Sequence, residues 1–181
     1  MRELALHILD LVQNAREAGA HRVDVTVTER PGDDLLTIDV RDDGRGMDAA
    51  TVARVTDPFF TTRTSRHVGL GLPLAAAGAQ QAGGDIAIQS VPGHGTCVTL
   101  TYQWHHWDRP PIGDLPATLM AVLLGDSSLA VHYDHRVDEQ NFAVSGDELR
   151  QALGDVPLSH PLVRTWLTDY LYEGEMALTQ P

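Results

Sequence analysis

Four short segments carry residues whose types and spacing could do chemistry. In the first, His7, Asp10, Asn14 and Glu17 recur every three or four positions, so on a helix they share one polar stripe. Asp10 and Asn14 are four apart and can point into one cavity. An amide oxygen is a suitable hard ligand for Mg²⁺, and a carboxylate one turn away can polarise water or accept its proton. Taken alone, the stripe equally describes a solvated helix face. The second segment, Asp42-Asp43-Gly44-Arg45-Gly46, sets a carboxylate at a strand end. Such a carboxylate can accept a hydrogen bond from an adenine amino group, and glycines let the backbone come close to a base. An ordinary Asp-Gly turn has the same residues. The third, Gly69-Leu70-Gly71-Leu72, opens a helix, where main-chain NH groups make an anion site. Thr61, Thr62, Arg63 and His67 just upstream offer hydroxyl and cationic contacts. No strand leads into it, so a dinucleotide-binding fingerprint does not fit. The fourth, Gly93-His94-Gly95-Thr96, is by itself a hairpin turn.

The elements that must position these segments follow from periodicity. Leu4, Ile8, Leu11, Ala15 and Ala18 mark one apolar face of a helix over 2–18, with Gly19 as its stop signal. Val23, Val25 and Val27 alternate with polar residues, as do Leu36, Ile38 and Val40 across a turn at 31–34, which predicts a hairpin. A loop over 42–48 precedes a short helix over 48–56, and 57–71 reads as loop. A helix over 70–82 ends at Gly83-Gly84. Ile86 and Ile88 form one further strand, and Val98, Leu100 and Tyr102 another. Beyond a composition break at 104–116, helices are expected near 114–124, 146–153 and 161–173, with a hairpin of 129–134 and 141–145. Ser145 and Glu148 have capping-box spacing, and Pro161 suits a first helical turn.

Composition limits the classes of function. The chain has 181 residues, 43% of them hydrophobic, and a net charge of −12. That charge argues against unspecific nucleic-acid binding, so any phosphate site must work through main-chain NH groups, a metal ion and a few cations. No stretch reaches the roughly 18 unbroken apolar residues of a membrane helix. The N-terminal run MRELALHILD carries charges and is not expected to be a signal peptide. A single cysteine, Cys97, fits a reducing, cytoplasmic compartment and reads as core. His105-His106, and His132 with His135, complete no known metal-site spacing.

In order, HILDLVQNAREAGA, DDGRGMD, DPFFTTR, VGLGLPL and GGDIAIQSVPGHGT closely resemble the GHKL superfamily over about residues 2–103. That superfamily includes sensor histidine kinases, DNA gyrase B subunits, MutL-type proteins and anti-sigma-factor kinases. The resemblance implies an α/β (α+β) two-layer sandwich of the Bergerat type, a mixed sheet with helices on one face, binding ATP and Mg²⁺. It implies that Asn14 holds Mg²⁺ and Asp42 the adenine, with Thr96 supporting that contact through water. Gly44, Gly46 and Met47 fall in its first glycine box. Gly69, Leu70, Gly71 and Leu72 fall in its second, against the phosphates. Phe59 or Phe60 resembles the aromatic beside the lid, and Thr62, Arg63 and His67 fall in or beside the lid itself.

Two departures matter. The position four before Asn14 is glutamate in the gyrase and mismatch-repair branches and activates water there; here it is Asp10, one methylene shorter. The asparagine-bearing helix also begins at the first residues, so no phosphoacceptor domain is expected before it, and His7 reads as a packing or supporting residue. A domain of 1–103 is therefore expected, followed by a small α+β C-terminal extension, 104–181. The run HWDRPPIGD resembles the segment after the ATPase domain in stand-alone proteins encoded beside iron–sulfur redox subunits. The extension reads either as cover for the sheet or as a docking module for a protein partner, an iron–sulfur redox enzyme or a second copy of the chain. Trp104, Trp107 and Trp166 are candidate anchors there. The expected function is ATP binding with hydrolysis or phosphoryl transfer to switch a partner. The alternative is an adenine-nucleotide sensor that binds without turnover.

Overall fold

The structure is a computed structural model that describes residues 3–57 and 71–178. Helix α1 spans Leu4–Glu17 and buries Leu4, Ile8, Leu11, Val12 and Ala15. Strands β1 (Arg22–Arg30) and β2 (Leu35–Asp42) form the expected hairpin around a 3-10 turn at Pro31–Asp33. Of the short helix expected over 48–56, only α2 (Ala49–Val52) forms, with the Asp48 carboxylate accepting from Thr51 N at 2.8 Å. Helix α3 spans Gly71–Gln81, followed by β3 (Ile86–Val91) and β4 (Gly95–Gln103). The remainder supplies α4 (Leu115–Gly125), β5 (Ala130–Val137), β6 (Gln140–Ser145), α5 (Gly146–Leu153) and α6 (Pro161–Leu178).

The six strands form one mixed sheet in the order β3-β4-β2-β1-β5-β6, in which only β1 and β5 run parallel. Alternation puts Val23, Val25 and Val27, Leu36, Ile38 and Val40, Val98, Leu100 and Tyr102, and Val131 and Tyr133 on one face. Register aligns them in rows, such as Ile88–Val98–Val40–Val25–Tyr133. Helices α1, α3, α4 and α6 cover this face, and their leucines and alanines complete the core. The opposite face carries threonines and charged residues. Cys97 lies on that face, half-buried, which corrects its reading as core: it alternates with Val98 and therefore points the other way.

The segment after β4 binds back to the first helix. The carbonyls of Pro111 and Ile112 accept from Leu4 N at 3.0 Å and Ala5 N at 2.8 Å, satisfying main-chain donors that open α1. The Asp114 carboxylate accepts from Ala117 N at the start of α4. The run HWDRPPIGD thus caps two helices.

At one end of the core face a buried polar chain joins β1, β5 and α6. His135, 3% exposed, lies between Glu29 Oε1 at 3.0 Å from its Nε2 and Glu175 Oε2 at 2.7 Å from its Nδ1. Tyr133 donates to Glu175 Oε1 and Trp104 Nε1 donates to Glu29 Oε2, both at 2.7 Å. A neutral imidazole has one N–H and could serve only one carboxylate, whereas the protonated ring serves both. Burial by itself would lower the pKa of His135, but the bonds and charges of Glu175 and Glu29 outweigh it and raise it to about 9. Burial pushes Glu29 up, yet the bonds from His135 and Trp104 leave it below its ordinary value.

The pH dependence follows from these directions. The His135 contribution is complete below pH 6.5 and is lost as pH rises toward 9. Its size is on the order of 3 kcal/mol. The Glu29 contribution is present above its unfolded value and lost in acid. Urea unfolding of the wild type should show falling stability from pH 7 to 9.5. His135→Gln should be less stable by roughly 3–5 kcal/mol near neutrality, with that slope removed. A wild type whose stability is flat over this range would contradict the charged bridge.

Candidate functional site

At the other end of the core face the apolar rows stop and a polar one begins. Asp42 follows Leu36, Ile38 and Val40 on β2, Thr96 precedes Val98 on β4, and Ser90 follows Ile86 and Ile88 on β3. Register pairs Asp42 with Thr96 and Thr96 with Ser90, so the three stand side by side across three strands. Asp42 Oδ1 accepts from Gly44 N at 2.8 Å. Burial raises the Asp42 pKa, while the main-chain NH groups of Gly44 and Thr96 pull it down in part. Ser90 Oγ lies 2.8 Å from Thr96 Oγ1. The neighbouring Asp43 turns away and accepts from His21 N and Arg22 N, pinning the β2 exit to β1.

The two glycine turns beside this row interlock. Met47 N donates to Ser90 Oγ at 2.8 Å, and Gly93 N donates to Arg45 O at 2.8 Å. Gly46 has φ +64°, and a β-carbon there would lie 2.0 Å from Val91 O. Gly95 has φ +87°, and a β-carbon there would lie 1.9 Å from Asp42 O. Both backbone conformation and space therefore require glycine. The sequence reads Gly46 as room for a base and Gly95 as part of a hairpin turn; the structure shows that both let two loops touch.

Helix α1 forms the opposite wall. Asp10, Asn14 and Ala18 follow at intervals of four and lie along one side of the helix and its C-terminal turn. Ala18 meets Gly44, whose β-carbon would stand 3.0 Å from Ala18 Cβ, and Arg45 N donates to Ala18 O at 3.0 Å. Asp10 meets the first residue of α3, since a β-carbon on Gly71 would lie 2.9 Å from Asp10 Oδ2. The half-buried Asn14 thus lies between the Asp42 end and the α3 end of a stripe about 12 Å long.

Of the sequence-derived candidates, the fold brings Asp42, Gly44, Gly46, Met47 and Thr96 together at one end of the stripe, and Asp10 beside Gly71, which is followed by Leu72, at the other. Phe60, Thr62, Arg63, Gly69 and Leu70 lie outside the described residues. His7, one turn before Asp10, is 2% exposed, and burial lowers its pKa to about 4, so it is neutral near pH 7. His132 and His135 alternate to opposite faces of β5. Ser90 was not singled out from sequence. Its signal was a hydroxyl where the alternation Ile86, Ile88 calls for a third apolar residue.

A family model described as "Histidine kinase-, DNA gyrase B-, and HSP90-like ATPase" matches residues 2–105. The sensor protein kinase FleS of Pseudomonas aeruginosa is 43% identical over 94 residues, covering 51% of this chain and 23% of that protein. The signal transduction histidine-protein kinase AtoS of Escherichia coli is 36% identical over 94 residues, 51% of this chain and 15% of AtoS. The chain thus spans under a quarter of the length of either relative. Among solved structures, the N-terminal domain of a DNA repair protein superposes with TM-score 0.55 at 14% identity, covering 80% of this chain and 53% of that one. At that identity the likeness concerns the fold, and the fold is the α+β sandwich expected from sequence.

The interlocked turns make a prediction by contrast. Gly95→Ala must displace the Asp42 carbonyl, whereas Gly19→Ala, at φ +77°, meets nothing within 4 Å. Urea unfolding should show Gly95→Ala costing more than Gly19→Ala, roughly 3 kcal/mol against about 1. Equal costs would mean that the turns do not touch in solution.

Proposed function

Since the chain belongs to the histidine kinase-, DNA gyrase B-, and HSP90-like ATPase family, we propose that it binds Mg-ATP between α1 and the glycine turns and uses it to switch a partner protein. The observation that carries this reading is the single stripe Asp10–Asn14–Ala18, which faces the Asp42–Thr96 row at one end and Gly71 at the other. The residues fit the nucleotide. Asp42 offers an acceptor to the adenine amino group, and Gly44 and Thr96 supply the main-chain donors that hold its carboxylate in place. The α3 N-terminus, at Gly71 and Leu72, offers main-chain NH groups to phosphate oxygens. The Asn14 amide oxygen would hold Mg²⁺, which when bound offsets charge on the transferring phosphoryl group.

Asp10, beside Gly71, is the group that polarises a water or an acceptor hydroxyl at the terminal phosphate. Its reach, one methylene shorter than glutamate, favours slow turnover and keeps the adenine-nucleotide sensor as the second reading. Docking is assigned to residues 104–181, with a protein partner of the iron–sulfur redox class or a second copy as the candidates. In support, Trp107 is fully exposed, and Leu162, Trp166 and Met176 of α6 open to solvent. Among the described residues no helix is long and apolar enough to cross a membrane.

Asn14→Ala is expected to weaken Mg-ATP binding about a hundredfold while the variant still unfolds cooperatively. A variant that binds normally would remove Asn14 from the site. Asp42→Asn should weaken ATP between roughly tenfold and a hundredfold. Incubation of the chain with γ-labelled ATP and candidate partners separates the uses. Label on a protein means a kinase, free phosphate alone means an ATPase switch, and retained micromolar binding without turnover selects the sensor.

A further inference from the structure

We propose that Ser90 is the residue that positions Thr96 and thereby sets a preference for adenine over guanine; this rests on the nucleotide reading above. Ser90 Oγ sits among three groups where the two glycine turns meet. It accepts from Met47 N at 2.8 Å, it lies 3.1 Å from Gly95 O, and it lies 2.8 Å from Thr96 Oγ1. A hydroxyl has one proton and two lone pairs, so these contacts use its capacity fully. No carbon side chain could replace it without taking this acceptor from Met47 N and this partner from the Thr96 hydroxyl.

The consequence is geometric. Thr96 lies between Ser90 and Asp42 in one cross-strand row. A threonine hydroxyl can occupy more than one rotamer, and the bond to Ser90 selects the one aligned with that row. Adenine presents to Asp42 its six-amino donor with the N1 acceptor beside it, whereas guanine presents an oxygen at the six position with an N1–H donor beside it. The Thr96 hydroxyl, its proton given to Ser90, then meets the adjacent ring nitrogen through a water that donates to that nitrogen and to the Thr96 oxygen. Holding Thr96 in register with Asp42 makes the pair read two neighbouring atoms of one base edge.

Equilibrium titration of the purified full chain with Mg-ATP and Mg-GTP tests this. Ser90→Ala should bind ATP about tenfold more weakly, the value of one buried hydrogen bond, and GTP little changed, so that the base preference falls by a similar factor. Because Ser90 is argued to act through Thr96, Ser90→Ala made on a Thr96→Ala background should add less than about a twofold loss. Ser90→Thr keeps the hydroxyl and should keep the preference. Losses that multiply in the double variant, equal weakening of ATP and GTP, or loss of preference in Ser90→Thr would each overturn the assignment while leaving the nucleotide site intact. A folded wild type that binds neither nucleotide would overturn the nucleotide reading and this assignment with it.

Discussion

Positions four apart on a helix cannot be placed independently, and that constraint organises this molecule. Once the apolar side of α1 is buried, the line from Asp10 through Asn14 to Ala18 can face in only one direction. It faces the ends of β2 and β4 and the start of α3. Ala18 touches the Gly44 turn and Asp10 touches Gly71, so the two ends of the helix stripe measure out the two ends of the site. The helix is in turn held at its start by the Pro111 and Ile112 carbonyls. A segment beyond the family match thereby fixes the axial position of Asn14.

The sheet imposes the second organisation. Its core face is apolar in the middle and polar at both ends, and each polar end is satisfied differently. At the Asp42 end the polar groups are half-buried and have capacity left for a ligand. At the His135 end two carboxylates, a tyrosine and a tryptophan consume one another's hydrogen bonds around a protonated ring. A closed network of this kind adds specificity to how α6 sits on the sheet, at a desolvation cost met only because every partner is present. It also ties Glu29 of the family-matched region to Glu175 near the end of the described chain.

The C-terminal segment therefore shares its hydrogen bonds and its core with the rest. Strand β5 pairs with β1 along its whole length, and α4 and α6 extend the helical layer started by α1 and α3. The aromatic residues of α6 divide between two duties. Tyr170 stacks on Trp166 and meets Phe142 edge-on, while Tyr172 bonds Asp114 at the cap of α4. Trp104 is held inside by Glu29 and by Arg109, whereas Trp107 projects into solvent.

By itself the sequence determined what is local. The face of α1, both N-terminal hairpins, the start of α3, the Ser145 cap on α5 and the pairing of β5 with β6 follow from periods of 3.6 and 2 and from turn residues, and those signals survive folding because neighbours in sequence are neighbours in space. The order of its motifs likewise pointed to Asn14, Asp42 and Thr96. Tertiary structure decided what joins distant residues. Helix α6 runs past its expected end at 173 through Gly174, where a β-carbon would meet the Phe142 ring, a contact between elements. The parallel β1–β5 pairing and the bridge of His135 to Glu29 across 106 positions leave no periodic trace, and the Ser90–Thr96–Met47 cluster shows only as a hydroxyl that breaks the alternation of β3. Each depends on strand register, and register is set by the packing of the whole sheet against its helices.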